Sequence, residues 1–163
     1  MVPSRYKQGP DVPRREVSDQ RTAGPTRERT REETVTEPHR LHGSRVLVVD
    51  DEGDQAFALA LLLREDEGIL ATSARDSNEA LEQFKTSPVD AVVLDVKMPG
   101  LSGPDLLAVL RKNHPGLPAV LLTGYERYDA RLAPAMASGG VAYCAKPASP
   151  RTVVAALVRL LGR

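Results

Sequence analysis

The chain of 163 residues has one cysteine, no tryptophan and only 4% aromatic residues, and its 22 basic residues balance its 22 acidic ones. A single cysteine excludes an intramolecular disulfide framework and a zinc site built from cysteines. A chain without net positive charge is unlike a general nucleic-acid binder, whose affinity comes mostly from lysine and arginine on phosphates. No apolar run reaches the about 18 residues of a membrane helix, and the N-terminus lacks the apolar core of a signal peptide. We therefore expect a cytoplasmic protein without a membrane partner.

The first 43 residues differ in composition from the rest. They contain nine basic residues, seven acidic residues and five of the 13 prolines, and their few apolar residues show neither a helical nor an alternating period. Such a segment buries too little apolar surface to offset the entropy lost on ordering. We predict that residues 1–43 form a disordered extension, with a docking arm for nucleic acid or protein as the alternative. Residues 44–163 then form one folded domain.

Five short apolar runs occur in the folded part, and they are nearly continuous rather than alternating. They span residues 45–49, 69–73, 91–94, 119–122 and 141–145. Continuous apolar strands are typical of a parallel sheet that is covered on both faces. Segments with helical apolar spacing lie between and after the runs. The alternation predicts an α/β fold, namely a doubly wound five-stranded parallel sheet with five helices and the flavodoxin-like strand order 2-1-3-4-5.

Local signals place the starts of the predicted helices. Asp54 is the predicted cap of the first helix, and Asp76 opens a capping-box pattern ahead of the second. Pro104 suits the first helical position of the third helix. The fourth helix is predicted near residues 129–138, where Pro134 interrupts it.

Polar side chains stand where the apolar runs end. Asp50 and Asp51 follow the first run, Asp95 the third, Thr123 the fourth and Lys146 the fifth. In a parallel sheet all these ends share one edge, and the crevice between strands 1 and 3 is where such sheets bind ligands. Three carboxylates there repel one another unless a cation neutralises them, and ligand sets made only of oxygen favour Mg²⁺. With Mg²⁺ and the lysine, the formal charges of the predicted site sum to zero.

Four motifs of the folded part resemble the receiver domain of two-component response regulators. They read VLVVDDE at 46–52, VLDVKMPG at 93–100, LLTG at 121–124 and YCAKP at 143–147. The resemblance spans about residues 44–163. It implies that Asp95 is a phosphoacceptor, which takes a phosphoryl group from a sensor histidine kinase, a phosphotransfer protein or a small phosphodonor.

The resemblance also implies a metal site. Asp51, Asp95 and the backbone carbonyl of Lys97 would bind Mg²⁺ directly, and Asp50 would do so through water. The side chain of Lys97 is expected to point into solvent. The alternative is that its ammonium pairs with the phosphoryl group and lengthens the lifetime of the phosphate.

The same resemblance implies a switch. Lys146, joined to Pro147 by a cis bond, would pair with Asp95 before transfer and with the phosphate after it. Thr123 would move to bond a phosphoryl oxygen, and Tyr143 would turn inward into the space that Thr123 leaves. The face formed by the fourth helix, the fifth strand and the fifth helix would then signal to a downstream protein, and the same face could form a homodimer.

Three hypotheses follow for the function. A stand-alone phosphorylatable receiver is favoured, because the chain ends soon after Leu161 and leaves no room for a DNA-binding output domain. Such a protein catalyses its own phosphorylation and dephosphorylation, turns over no metabolite and is not expected to bind DNA directly. A pseudo-receiver that serves as a fixed protein interaction module is the main alternative. An aspartate-nucleophile phosphatase is the third hypothesis. In such an enzyme the nucleophile would follow the first strand, whereas Asp95 follows the third apolar run.

Overall fold

A computed structural model describes residues 40–124 and 132–162, apart from the side chains of residues 66 and 67. Most of the predicted disordered extension, residues 1–39, lies outside the described residues, and its disorder stays a prediction. The predicted start of the fourth helix, at residues 129–131, lies outside them as well. Within the described residues, no helix has both the length and the apolar character needed to cross a membrane.

Five parallel strands form one sheet in the order β2-β1-β3-β4-β5. Their bounds are β1 (Arg45–Val49), β2 (Leu70–Ala74), β3 (Ala91–Asp95), β4 (Ala119–Thr123) and β5 (Val141–Ala145). This topology confirms the predicted doubly wound α/β fold. β2 begins one residue later than predicted, because the N–H of Ile69 donates to the carbonyl of Leu63 at 3.3 Å and so still belongs to the end of the preceding helix.

The helices of the described residues connect or follow these strands. They are α1 (Gly53–Glu67), α2 (Ser77–Thr86), α3 (Gly103–Asn113), α4 (Ala133–Ala137) and α5 (Pro150–Leu161). The predicted cap of α2 is confirmed, because the Asp76 side chain accepts the backbone N–H of Glu79 at 2.8 Å. Pro104 lies in the first turn of α3, one position later than predicted, since the helix begins at Gly103.

Two predicted features of the helix starts are wrong. Asp54 does not cap α1, because the N-cap residue is Glu52 and its side chain makes no capping hydrogen bond. Asp54 lies instead in the first turn, where a negative charge is favoured by the helix dipole. Pro134 does not interrupt α4 but lies in its first turn. A proline is tolerated there because the N–H that it lacks has no partner within the helix.

Buried apolar side chains cover both faces of the sheet. Val46 and Val48 of β1 pack with α1 and α5, whereas Leu47 and Val49 pack with α2 and α3 on the opposite face. All four side chains are at most 1% exposed. Because successive side chains point to opposite faces, a strand covered on both sides must be apolar at every position. The edge at which the strands end is therefore where polar side chains can gather.

The folded part includes residues that the composition had assigned to the extension. Leu41 is fully buried and packs in the same cluster as Leu63 and Ile69. Its carbonyl accepts the N–H of Ser44 at 2.9 Å, and the N–H of Gly43 donates to the carbonyl of Gly68 at 3.0 Å. Residues 40–43 thus pack against the connection between the end of α1 and the start of β2.

Replacing Leu41 by alanine tests this contribution. We expect Leu41→Ala to lower the free energy of unfolding by about 2–5 kcal/mol, because it removes a fully buried side chain and leaves a cavity. Urea denaturation measures the change. Leu62→Ala is the control, since this leucine of α1 is 40% exposed, and a change of at most about 0.5 kcal/mol is expected. Equal losses in the two variants would contradict the burial of Leu41 in the folded core.

Candidate functional site

The predicted polar residues gather at one edge of the sheet. Asp50 and Asp51 directly follow β1, Asp95 and Thr123 are the last residues of β3 and β4, and Lys146 follows β5. The register pairs β3 with β1 and β4, so the ends of these three strands are neighbours. Residues that lie far apart in the sequence therefore line one crevice.

Three carboxylates form the centre of this crevice. One oxygen each from Asp50, Asp51 and Asp95 lies within 4.8 Å of the other two. Asp50 is 2% and Asp95 is 6% exposed, whereas Asp51 is open to solvent. The cluster is thus anchored in the protein and accessible from one side. A set of close carboxylate oxygens with solvent access fits a hard divalent cation such as Mg²⁺, which keeps several waters when bound.

Lys146 bridges the two buried carboxylates. Its Nζ lies 2.7 Å from Asp50 Oδ2 and 3.1 Å from Asp95 Oδ1. The resemblance implied pairing with Asp95, and the structure adds the shorter contact to Asp50. The other Asp50 oxygen accepts the backbone N–H of Glu52 at 3.0 Å, which fixes the carboxylate in the turn after β1. The Lys146–Pro147 peptide bond is cis, as the resemblance implied.

The pKa values of the bridged pair follow from this geometry. Burial raises the pKa of Asp95, and the charges of Asp50 and Asp51 raise it further, while the hydrogen bond and charge of Lys146 oppose them. Burial acts to lower the pKa of Lys146, but its hydrogen bonds to Asp50 and Asp95 and their charges outweigh burial, so the pKa is raised. The lysine is therefore charged at neutral pH and offsets the charge of one of the three carboxylates. A divalent cation would balance the formal charge of the other two.

Thr123 and Tyr143 lie on the neighbouring strands β4 and β5, and their roles in the switch stay predictions. Thr123 is buried at the end of β4, and its carbonyl accepts the backbone N–H of Lys146 at 2.8 Å. The hydroxyl of Tyr143, on the neighbouring β5, donates to the carbonyl of Leu132 at 3.3 Å. Partial burial raises the pKa of Tyr143. Lys97 is exposed, and both the role of its carbonyl and the two hypotheses for its side chain stay predictions.

Gly103 is a site residue that the sequence alone did not reveal. A β-carbon at this position would lie 2.3 Å from the carbonyl oxygen of Asp95 and 3.1 Å from its carbonyl carbon. The N–H of Gly103 donates to the carbonyl of Val96 at 3.1 Å. The start of α3 thus rests directly on the backbone of Asp95, which only glycine permits. The glycine before Pro104 was visible in the sequence, but no local pattern shows which strand it meets.

An open groove of about 520 Å³ adjoins the site. One wall is α1, with Gln55, Leu59 and Leu62, and the other is the loop of residues 146–150. The lining also includes Asp50, so the groove reaches the carboxylate crevice.

Comparison with known proteins identifies the family. Residues 46–158 match the family model of the response regulator receiver domain. The chain belongs to this family. The chain is similar to "Probable transcriptional regulatory protein TcrX" of Mycobacterium tuberculosis. The two are 42% identical over 118 residues, which cover 72% of this chain and 50% of TcrX.

Two further matches cover most of the other protein's length. An uncharacterized 14.6 kDa protein of Leptolyngbya boryana is 38% identical over 111 residues, which cover 67% of this chain and 83% of that protein. The crystal structure of a receiver domain protein from Clostridium thermocellum matches with a TM-score of 0.66 and 32% identity, covering 74% of this chain and 95% of that one. The chain spans about half the length of TcrX.

The close approach of Gly103 to Asp95 can be tested in the receiver domain. We expect Gly103→Ala to lower the free energy of unfolding by about 1–3 kcal/mol, because the new methyl group must displace backbone. This loss would occur although alanine favours a helix by about 1 kcal/mol over glycine. Urea denaturation measures it, and the largest amide chemical-shift changes are expected at Asp95 and Val96.

Gly124→Ala is the matched control. Gly124 also lies at the ends of the strands, yet among the described residues no atom beyond its chain neighbours lies within 4 Å of a β-carbon built there, and its φ is not in the left-handed region. We expect near-native stability for this variant. If Gly103→Ala were as stable as Gly124→Ala and left the Asp95 amide unshifted, the proposed contact would be refuted.

Proposed function

We propose that this receiver domain is a phosphorylation switch in which Asp95 accepts a phosphoryl group in a Mg²⁺-dependent reaction. The donor is a sensor histidine kinase, a phosphotransfer protein or a small phosphodonor. The observation that carries the proposal is the bridge from Lys146 Nζ to both Asp50 and Asp95, with the exposed carboxylate of Asp51 beside it. A buried nucleophile, a fixed cation and an open acidic ligand are the components that phosphoryl transfer requires.

The chemical step uses the Asp95 carboxylate as the nucleophile. One of its oxygens attacks the phosphorus of a phosphohistidine, the phosphorus–nitrogen bond breaks, and the electron pair goes to the histidine ring, which takes a proton from solvent. Mg²⁺ would be held directly by Asp51, Asp95 and the carbonyl of Lys97 and through water by Asp50, and it would supply positive charge to the phosphoryl oxygens. Lys146 holds Asp95 in place before the step and offers its ammonium to the phosphoryl group afterwards.

The added charge is the signal in this proposal. An acyl phosphate carries about one more negative charge than the carboxylate that it replaces. Thr123, at the end of the neighbouring strand, moves to donate its hydroxyl to a phosphoryl oxygen. Tyr143 then leaves Leu132 for the vacated space, and the face formed by α4, β5 and α5 changes shape. That face acts on a downstream protein and is also where a homodimer could form.

The groove beside α1 supports a protein donor. It combines access to Asp50 and Lys146 with an apolar wall that includes Leu62. Leu62 is 40% exposed and lines the groove with Leu59, Pro147 and Ala148, so this side of α1 offers apolar surface for a partner helix. Exposed apolar side chains beside a site are typical of interaction surfaces. A partner docked there would bring its phosphohistidine to the crevice.

The alternative is a pseudo-receiver that acts as a fixed interaction module. The gathering of three carboxylates, Lys146 and Thr123 at one edge favours the phosphorylatable form. We further propose that the domain works by self-catalysed transfer and dephosphorylation and not as a turnover enzyme, and that it acts in the cytoplasm without contacting DNA directly.

Phosphorylation of the full chain tests this proposal. After incubation with phosphoramidate and Mg²⁺, intact mass spectrometry should detect one added phosphoryl group on the wild type and none on Asp95→Asn, because the amide is a poor nucleophile. Chelation of Mg²⁺ by EDTA should abolish the modification. Asp54→Asn is the control, since it removes an exposed carboxylate near but outside the cluster, and it should be modified like the wild type.

Two results would count against the proposal. Modification of Asp95→Asn to the wild-type level would show that the acceptor lies elsewhere. A wild-type protein that neither accepts phosphate nor responds to beryllofluoride would support the fixed interaction module instead.

A further inference from the structure

Arg111 links α3 to two other parts of the receiver domain. Its Nε and Nη2 donate to the carbonyl of Leu117 at 3.0 and 2.7 Å, in the loop before β4. Its Nη2 also donates to the carbonyls of Gly139 and Gly140 at 2.9 and 3.2 Å, and its Nη1 donates to Ser138 Oγ. One guanidinium therefore joins the end of α3, the loop that follows it and the turn between α4 and β5.

The turn between α4 and β5 is built around this guanidinium. Gly139 and Gly140 both have positive φ angles, 71° and 64°, a backbone region that favours glycine. A β-carbon on Gly140 would lie 3.1 Å from Arg111 Nη2. The glycine pair thus directs two successive carbonyls at one side chain. The planar guanidinium can satisfy several carbonyls at once, whereas a lysine ammonium offers a single point of charge.

The opposite end of α4 contacts a different side chain. In the part of the chain that the structure describes, the carbonyl of its N-cap residue Leu132 accepts a hydrogen bond from the Tyr143 hydroxyl at 3.3 Å. The C-terminal end meets Arg111 through the hydroxyl of Ser138 and the carbonyls of the next two residues. A helix of five residues has little stability of its own, so these contacts at its two ends, with the burial of Leu132 and Ala135, hold it in place.

We propose that Arg111 is a positioning residue that fixes the C-terminal end of α4 in both states of the switch. The inference rests on the proposed function, in which Tyr143 leaves Leu132 on phosphorylation. Loss of that bond frees only the N-terminal end of α4, because none of the Arg111 contacts involves Tyr143. α4 then turns about its anchored end, and the change in the signalling face is a tilt of one end rather than a release of the whole helix.

Hydrogen exchange of three backbone amides reports on this anchor. The amides of Ser138 and Gly139 donate to the carbonyls of Pro134 and Met136 within α4, and the amide of Ala119 donates to the carbonyl of Gly140. We expect Arg111→Ala to accelerate exchange of the Gly139 and Ala119 amides by at least about tenfold, since several hydrogen bonds to a charged group are lost. Arg111→Lys should restore little of the protection. Lys112→Ala, which removes the adjacent exposed cation of α3, should leave these amides unchanged.

The same measurement with Mg²⁺ and beryllofluoride distinguishes an anchor from a releasable contact. In the wild type we expect the Gly139 and Ala119 amides to stay protected while residues near Leu132 and Tyr143 change. Arg111→Ala should bind beryllofluoride with unchanged affinity, because a contact present in both states does not shift their equilibrium.

Three results would overturn the inference. The first is that the Gly139 and Ala119 amides of Arg111→Ala exchange as fast as those of the wild type. The second is that the Gly139 amide of the wild type loses its protection when beryllofluoride is added. The third is that Arg111→Ala binds beryllofluoride more tightly than the wild type. If beryllofluoride changed no amide exchange in the wild type, the phosphorylation switch would be contradicted, and with it the role of Arg111 in two states. The effect of Arg111→Ala without ligand would still establish or refute the anchor itself.

Discussion

The repulsion among three carboxylates at one edge of the sheet is the constraint on which the site depends. Asp50 and Asp95 are almost fully buried, and two buried negative charges are stable only with a compensating cation. Lys146 supplies part of that compensation by contacting both. In the proposed switch, a divalent cation balances the remaining negative charge, which is shared with the exposed Asp51, and a phosphoryl group binds with that cation.

The fold concentrates charge at this edge because the rest of the sheet is covered by apolar side chains. Apart from their first or last residues, the central strands β1, β3 and β4 are apolar, because helices cover both faces of the sheet. Polar side chains therefore collect where these strands end. The start of α3 packs against the Asp95 backbone at Gly103. The N–H of Lys146, just after β5, donates to the carbonyl of Thr123, the last residue of β4. Contacts of the main chain thus hold the positions of both Asp95 and Lys146.

The fold and the residues of the crevice could be predicted from sequence because their signals are local. Continuous apolar strands, the cap at Asp76 and polar residues at strand ends are all visible within a few positions. What could not be predicted depends on contacts between distant elements. Gly103 looks like any helix-start glycine until α3 meets β3, and Arg111 looks like a surface arginine until the Gly139–Gly140 turn closes over it. Leu41 was placed in the extension because one buried leucine does not alter the composition of a polar segment.

The most direct test of the central claim is calorimetric titration of Mg²⁺ into the full chain and two matched variants. We predict one binding site in the wild type and a dissociation constant at least about tenfold higher in Asp51→Asn, because affinity for a hard cation depends on the number of charged oxygen ligands. Asp54→Asn, which loses the same charge three residues away and outside the cluster, should stay within about twofold of the wild type by the same reasoning. Equal affinities in the wild type and Asp51→Asn, or no measurable binding to any of the three proteins, would contradict the claim that this acidic edge holds the ion.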